Sequence, residues 1–298
     1  MKNVCIAFTI LNLGKKALPG WTKASGHLVF DVKMDFTRKA RRDKDGHRSP
    51  NPTTLAYAGV VSRESVRVGL TYTALMDLEV MAADIQNAYL QAPSSEKYFI
   101  ICGAESGLEH VGKVALITRA LYCGKFSGRD LWHHLRDCIN FLGFTSCQAD
   151  PDVWMRAATK PDGVEYFEYV LLYVDDFLVI SHKTEAVLRE EIGRYFTLKE
   201  ASIGPPLQYL GGKLRQVTMP NSQKCWAFGS TQYVRAAVDN VEEYLGTKGQ
   251  KLQPKATTPL SRNYRPEVDI SDELDEEEAS YFQSLIGVLR WIVELGRV

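Results

Sequence analysis

The sequence lacks the features that mark membrane, secreted and zinc-binding proteins. No apolar run reaches the roughly 18 residues that a membrane span needs. The short apolar start is not followed by a small-residue cleavage site, which argues against secretion. The six cysteines are scattered and none forms a C-x-x-C pair, which argues against a zinc knuckle. The prediction is therefore an intracellular protein with reduced thiols.

The chain also lacks a net charge, because 36 lysines and arginines balance 36 aspartates and glutamates. This neutrality argues mildly against nucleic-acid binding, since contacts to phosphate groups dominate the affinity of such proteins. The balance conceals a basic segment at residues 33–48 and an acidic segment at residues 267–278. A charge run is usually solvated surface, so the asymmetry alone does not identify a partner.

The length of 298 residues predicts one large domain or two lobes, and 45% hydrophobic residues are ample material for a core. Alternating apolar residues predict a strand over 27–36. The sequence predicts five helices, over 62–80, 130–144, 184–198, 231–246 and the last segment, 275–298. Ser62 is suited to cap the first of them. Strands and helices do not alternate strictly, which favours an α+β fold with mixed or antiparallel sheets.

Two adjacent aspartates interrupt an apolar hairpin. The runs Tyr169–Val174 and Phe177–Ile180 flank Asp175 and Asp176. Like charges in an apolar setting raise each other's pKa, and a divalent cation such as Mg²⁺ or Mn²⁺ removes that cost. With Asp84 at the end of another apolar strand, the three carboxylates suit a two-metal phosphoryl-transfer site. Ordinary turn chemistry also places short carboxylates at hairpin tips, and that alternative stays open on these residues alone.

Seven further stretches follow one another in a fixed order. They are HLVFDVKMDFTRKAR, AADIQNAYLQAP, RALYCGKFSG, GFTSCQADPDVWMR, Tyr-Val-Asp-Asp, LQYLGG and YFQSLIGVLRWIVELGR. In this order they resemble the fingers strand, first-aspartate motif, third motif, inter-palm stretch, palm hairpin, primer grip and connection of copia-type LTR retrotransposon reverse transcriptases. The resemblance covers nearly the whole chain.

The resemblance implies a right-hand polymerase with fingers, a palm of antiparallel sheet plus helices, and a partial thumb and connection. It assigns residues 1–80 and 94–118 to the fingers and residues 81–93 and 119–205 to the palm. Residues 206–298 would form the primer grip, the thumb and the start of the connection. Signatures of RNase H and integrase are absent from this sequence, so both would belong to other parts of a Pol polyprotein.

The implied activity is RNA-directed DNA polymerisation with two Mg²⁺ or Mn²⁺ ions. Its partners would be an RNA or DNA template-primer and deoxynucleoside triphosphates, in the cytoplasm, a virus-like particle or the nucleus and away from membranes. Nothing in the resemblance sets the oligomeric state. Because the sequence stops at Val298 within a family stretch, we expect a fragment or remnant of a longer polyprotein.

The resemblance also implies roles for individual residues. Asp84, Asp175 and Asp176 would be the catalytic metal ligands, with a backbone carbonyl near Ile85 as a further ligand. Tyr89, five residues after Asp84, would be the steric gate that excludes a 2′-hydroxyl group, the group that distinguishes RNA from DNA. Core packing is the alternative role for this ring.

The remaining implied contacts are polar or lie in the primer grip. They are Lys39, Arg41 and Lys125 for nucleotide binding, Lys199 as a candidate general acid to the pyrophosphate, and Tyr173, Tyr209, Leu210, Gly211 and Gly212 for primer and template. Fixed cations stabilise charge on a transferring phosphoryl group. A solvated surface cation is the alternative for each basic residue.

Some positions depart from the family pattern. Cys123 stands where the family has glycine, Gly124 where it has leucine, and Phe126 replaces a small or polar residue. Residues 42–45 are all charged where the family has a mostly apolar strand, and charges in a strand core cost stability unless they face water. These departures support a second hypothesis, a catalytically decayed remnant that keeps the fold and at most binds nucleic acid. A third hypothesis is an unrelated α+β protein.

Overall fold

The chain divides into two compact units, Met1–Pro206 and Leu207–Val298. The computed structural model describes residues 7–32, 38–46, 54–210, 212–253, 255, 264–268, 270 and 272–294. Both units combine helices with sheets, which confirms the predicted α+β class. No helix in these described ranges is long and apolar enough to cross a membrane.

The first unit contains most of the secondary structure. Its strands are β1 (Phe8–Ile10), β2 (Thr22–Lys23), β3 (Gly26–Val32), β4 (Arg38–Lys44), β5 (Glu79–Asp84), β6 (Tyr98–Ile101), β7 (Val114–Ile117), β8 (Thr145–Ser146), β9 (Val153–Thr159), β10 (Glu165–Tyr173) and β11 (Asp176–Ser181). Its helices are α1 (Arg63–Met76), α2 (Ala88–Gln91), α3 (Ser127–Phe141) and α4 (Thr184–Ala186).

The centre of the first unit is a five-stranded antiparallel sheet in the order β5-β11-β10-β9-β8. Its inner strand β11 is buried on both faces, because Phe177 packs in a core cluster with α3 while Gly69 of α1 lies against Ile180 on the other face. Each such buried side chain stabilises the fold by about 1.5–3 kcal/mol. The sheet is therefore a rigid base for the residues at its strand ends.

Helix α1 begins as the sequence predicts and ends earlier. Ser62 accepts a hydrogen bond from the backbone N–H of Ser65, which confirms it as the cap. The prediction that the helix continues to residue 80 is wrong, because Asp77 takes a left-handed backbone conformation (φ 47°) and Glu79 opens β5. A single left-handed residue is sufficient to end a helix.

Helix α3 agrees with the prediction to within a turn, and Gly143 follows it at φ 88°. The helix predicted over 184–198 is wrong in its last part. Helix α4 passes into a π-turn at Val187–Glu191 and a 3₁₀ turn at Ile192–Arg194, after which the chain extends. Residues 197–199 then run antiparallel to the end of β5, which brings a basic residue to the site described below.

The other sheets of the first unit are a four-stranded sheet, β1-β7-β6-β2, and the hairpin β3–β4. The charged end of β4 does not face water as the sequence argument required. Asp43 and Lys44 are buried, and the Lys44 ammonium pairs with Glu96 (2.9 Å) and lies over the Tyr98 ring (3.4 Å). The ion pair and the aromatic face offset the burial of the lysine charge.

The second unit contains a three-stranded sheet and two long helices. They are β12 (Gln208–Tyr209), β13 (Gly212–Thr218), β14 (Lys224–Gly229), α5 (Thr231–Thr247) and α6 (Glu276–Glu294). Strands β12 and β13 pair antiparallel, with Tyr209 opposite Gly212. A Cβ atom at Gly212 would lie 2.1 Å from the Phe228 ring, so this position requires glycine. Helices α5 and α6 meet where Tyr244 stacks on Tyr281.

Candidate active site

The pairing of β5 with β11 brings distant aspartates to one end of the sheet. Asp84, the last residue of β5, lies directly opposite Asp176, the first residue of β11. Asp176 in turn faces Tyr173 across the hairpin turn. The backbone N–H of Ile85 donates to the carbonyl oxygen of Asp175 (2.9 Å), so the two chain segments stay paired past the end of the strand.

The turn between β10 and β11 is strained. Val174 has φ 56°, a left-handed conformation that is unusual for a β-branched residue, and its side chain is exposed. Such a conformation costs on the order of 1–3 kcal/mol and persists only where the surrounding structure enforces it. Here the enforcing structure is the fully buried β11, and the strain holds Asp175 and Asp176 at the apex.

The three carboxylates influence one another electrostatically. Burial, followed by the charges of Asp175 and Asp84, raises the pKa of Asp176 to about 6, and the Lys199 ammonium opposes the shift. A carboxylate pKa that is raised by burial and by two like charges marks a candidate functional site. A bound cation would return this carboxyl group to its ionised form.

Lys199 and Ser202 form hydrogen bonds and an ion pair with Asp84. The backbone N–H of Lys199 donates to the Asp84 carbonyl oxygen (2.8 Å), and its ammonium group contacts Oδ2 of the same residue. The Ser202 hydroxyl accepts from the Asp84 N–H (2.8 Å) and donates to the Lys199 carbonyl oxygen (2.7 Å). Lys199 is therefore at the carboxylate cluster, as the resemblance required of a candidate general acid.

The cluster has the donor set for hard divalent cations. The Asp84 Oδ1 atom is buried and accepts no hydrogen bond within the part of the chain that the structure describes. Carboxylate oxygens of this kind suit Mg²⁺ and Mn²⁺. Among the described residues, no three histidine, cysteine, aspartate or glutamate side chains form a preformed metal cluster. The raised Asp176 pKa and the orphaned Asp84 oxygen are the observations that fit a cation here.

Tyr89 lies on the short helix α2, directly after the turn that follows β5. Asn87 enters the helix in a left-handed conformation (φ 51°), and the Tyr89 ring packs edge-to-face on Tyr122 at 5.0 Å. Burial, followed by the charge of Asp175, raises the Tyr89 pKa. The ring also packs against the main core cluster, which fixes its position, and it lies close enough to Asp175 to be affected by that charge.

The other residues that the sequence singled out lie on other elements of the two units. Lys39 and Arg41 lie on β4, and their side chains fall outside the described residues, as does the whole of Gly211. Lys125 lies near Lys44, whose pKa is lowered chiefly by burial and to a smaller extent by the Lys125 charge. Tyr209, Leu210 and Gly212 belong to the second unit, where Tyr209 is buried and Leu210 turns the chain at φ 48°.

Sequence reasoning missed two residues that support the site. One is Ser202, which bonds to the backbone of both Asp84 and Lys199. The other is Gln91, whose side-chain amide bonds to the backbone of Gln86 and Thr197. Both contacts depend on residues 197–199 being extended, and the helix predicted over that segment concealed them. The only signal in the sequence was for Gln91, a polar residue at the end of an apolar helix.

Comparison with known proteins identifies the family. A family model described as reverse transcriptase (RNA-dependent DNA polymerase) matches residues 22–240, well over half of the chain. The chain belongs to this reverse transcriptase family. The retrovirus-related Pol polyprotein from transposon TNT 1-94 of Nicotiana tabacum is 25% identical over 250 residues. The alignment covers 81% of this chain and 18% of that polyprotein, so the chain spans about a fifth of that relative's length.

These matches confirm the resemblance to a copia-type retrotransposon reverse transcriptase domain. The hypothesis of an unrelated α+β protein is therefore wrong. Membership in the reverse transcriptase family gives the aspartate cluster at the end of β5 and β11 a chemical context, since polymerases of this family act on nucleic acid.

Proposed function

We propose that this reverse transcriptase domain is an RNA-directed DNA polymerase that extends a primer on an RNA or DNA template. The observation that carries the proposal is the strand register that sets Asp84 opposite Asp176 at the strained hairpin turn. Carboxylates from two separate strands meet there on a rigid sheet. The proposed organisation is a right hand, in which the first unit supplies fingers and palm and the second supplies primer grip, thumb and connection.

In this proposal Asp84, Asp175 and Asp176 hold two Mg²⁺ or Mn²⁺ ions, with the backbone near Ile85 as a further ligand. The ions would supply activation of the attacking hydroxyl and charge stabilisation on the leaving group. The chain's own contribution is to hold the carboxylates on paired strands, so that they do not reorganise during the reaction. Lys199, in contact with Asp84, is the group placed to give a proton to the departing pyrophosphate.

Tyr89 is proposed as the residue that selects the sugar. Its ring is fixed by Tyr122 and by the core, and it lies close enough to Asp175 for that charge to raise its pKa. A rigid ring at that place excludes a 2′-hydroxyl group by bulk, which requires no hydrogen bond. Tyr89→Phe should therefore keep the preference for deoxynucleotides, while Tyr89→Ala should admit ribonucleotides, measured as the ratio of kcat/KM values. An unchanged ratio in the alanine variant would assign the ring to packing alone.

The proposed partners are template-primer, deoxynucleoside triphosphates and the other parts of a Pol polyprotein, including RNase H and integrase. Lys39, Arg41 and Lys125 are proposed to contact the triphosphate. Tyr173 of the hairpin and residues 209–212 of the second unit are proposed to contact primer and template. The proposed compartment is intracellular, which accords with the scattered cysteines.

The direct test is primer extension by the purified chain on matched RNA and DNA templates with Mg²⁺. Asp175→Asn and Asp176→Asn should each lower incorporation by roughly 10³-fold or more, because each removes a ligand charge. Asp162→Asn is the matched control, since Asp162 lies in the turn at the other end of β10 and caps Val164 there. Equal loss in all three variants, or unfolding of the asparagine variants, would count against the proposal.

A decayed remnant is the second candidate, and one observation favours it. Cys123 has φ 62°, a conformation suited to the glycine that the family places there, so this substitution has introduced strain next to Tyr122. In that case the parent chain would bind template-primer without extending it. The same primer-extension assay, run beside a binding measurement, separates the two candidates.

A further inference from the structure

We propose that Gln91 is a positioning residue that fixes the extended segment carrying Lys199 against the end of β5 that carries Asp84. The inference rests on the proposed polymerase function, which gives those two residues their roles. Gln91 is the last residue of α2, two positions after Tyr89, and its side chain is partly buried. Its position lets one side chain reach two separate chain segments.

The Gln91 amide is satisfied on both of its polar atoms. Its Nε2 donates to the carbonyl oxygens of Gln86 (2.5 Å) and Thr197 (3.0 Å), and its Oε1 accepts from the Thr197 N–H (2.8 Å). The side chain thus pairs with Thr197 through a donor and an acceptor, as a neighbouring strand would. The Gln91 backbone carbonyl also accepts from Arg119 (3.0 Å), which fixes the end of α2.

These bonds lie beside a short antiparallel ladder. The Gln86 N–H donates to the Thr197 carbonyl oxygen (2.9 Å) and the Lys199 N–H donates to the Asp84 carbonyl oxygen (2.8 Å). Two backbone bonds alone make a marginal strand pair, since isolated two-stranded contacts are weakly stable in water. Gln91 at one end and Ser202 at the other extend the pairing on both sides.

The arrangement requires an amide at this position. A carboxylate would set an oxygen against the two carbonyl oxygens that now accept from Nε2, and an apolar side chain would leave the Thr197 N–H without its present acceptor. Without the clamp, this segment could shift relative to the end of β5, and a misplacement of about 1 Å near reacting groups can cost roughly 10²-fold in rate. Gln91 therefore acts through Lys199 and Asp84 without contacting the substrate.

Two measurements test this inference. Amide hydrogen exchange without substrate should show roughly tenfold faster exchange at Thr197 and Lys199 in Gln91→Met, because one side-chain clamp is lost. In steady-state incorporation, kcat should fall roughly tenfold, and more in Gln91→Glu. The double variant Gln91→Met with Lys199→Met should be no slower than Lys199→Met alone, since contacts within one network are not additive. Gln148→Met, at an exposed position between β8 and β9, is the matched control.

Unchanged exchange at Thr197 in Gln91→Met would overturn the inference. A variant that only melts at lower temperature, with parental kcat and additive behaviour towards Lys199→Met, would overturn it as well, because that is the result of a purely structural role. A parent that binds template-primer without incorporation would instead refute the proposed function. The exchange measurement then decides by itself whether Gln91 holds the segment.

Discussion

The two ends of the five-stranded sheet treat buried carboxylates in opposite ways. At one end, Glu168 is 1% exposed and accepts hydrogen bonds from Arg156 (2.7 Å) and Ser181 (2.8 Å). At the other end, roughly 16 Å away along β11, burial and two neighbouring carboxylates raise the pKa of Asp176 to about 6. The charge of Glu168 is compensated by its partners, whereas the like-charged cluster costs stability, and carboxylates with such raised pKa values are candidates for functional sites.

The two turns of β10 differ in the same sense. The turn that precedes β10 contains Gly163 at φ 87°, where glycine has no steric cost. The turn beyond its last residue places Val174 at φ 56°, where a β-branched side chain is strained. Backbone strain and a raised carboxylate pKa thus coincide at one end of the strand, whereas the glycine turn at its other end is unstrained.

The largest predicted effect on stability comes from breaking the paired end. Arg156→Met should destabilise the protein by about 3–5 kcal/mol, because it leaves the Glu168 charge buried without its partner. The measurement is urea unfolding at neutral pH. Arg189→Met is the control, since Arg189 makes its ion pairs with Glu185 and Glu200 at the surface, where solvent screens them and their loss should change the free energy of unfolding little. Equal effects would mean that burial of the pair contributes nothing.

At the aspartate end, removal of a charged group should have the opposite effect and stabilise the metal-free protein at neutral pH. The folded pKa of Asp176 is raised to about 6, so the folded state retains a proton that the unfolded state has released. The stability that Asp176 contributes through this proton is fully present below pH 4 and is lost as the pH rises through 6. Without divalent cations, Asp176→Asn should therefore have the same free energy of unfolding as the parent near pH 4. At pH 7.5 its free energy of unfolding should be higher than that of the parent by on the order of 1–2 kcal/mol, allowing for solvent screening.

Mg²⁺ or Mn²⁺ sharpens this comparison. A cation that binds only the folded parent stabilises it by mass action and should cancel or reverse the advantage of the asparagine variant at pH 7.5. The measurement is thermal unfolding of both proteins in EDTA and then in a concentration series of each metal. A parent that gains nothing from either metal, relative to Asp176→Asn, would contradict the assignment of Asp176 as a ligand.

Much of the site could be predicted from the sequence because its signals are local. The apolar runs on both sides of Asp175 and Asp176 predict the hairpin, and the matched motifs predict the family, which is confirmed. The pairing of Asp84 with Asp176 required a contact between segments far apart in the chain. Periodicity holds no information on such contacts; the expectation came from the chemistry of three carboxylates at strand ends and from the resemblance to a family. The roles of these residues remain predictions.

The parts that sequence reasoning missed depend on tertiary contacts that override local preference. Residues 184–198 have helical spacing, yet the chain beyond Arg194 extends because Thr197 and Lys199 gain backbone partners next to Asp84. Similarly, Lys44 at the charged end of β4 is buried, since Glu96 and Tyr98 receive it. Propensity is a weak guide where such partners are available.

A smaller effect is expected from the strained turn. Val174→Gly should stabilise the metal-free protein by about 1 kcal/mol, because glycine accepts a positive φ and the exposed valine side chain contributes little packing. Gly163→Ala, at the opposite turn of the same strand, should destabilise by a similar amount. Urea midpoints of both variants give the comparison. If both variants are destabilised, the valine turn is not strained and the contrast between the two turns fails.

The smallest effect is expected at Cys123, whose backbone is left-handed (φ 62°) and whose thiol donates to Asp43 (3.3 Å). Cys123→Gly and Cys123→Ala both remove the thiol, so the difference between them isolates the backbone term. Cys123→Gly should be the more stable of the two by about 1 kcal/mol, and Cys123→Ser, which keeps a donor and the strain, should resemble the parent. The measurement is chemical unfolding of the three variants. Equal stability of the glycine and alanine variants would remove the backbone argument for decay and leave the polymerase proposal without a structural objection at this position.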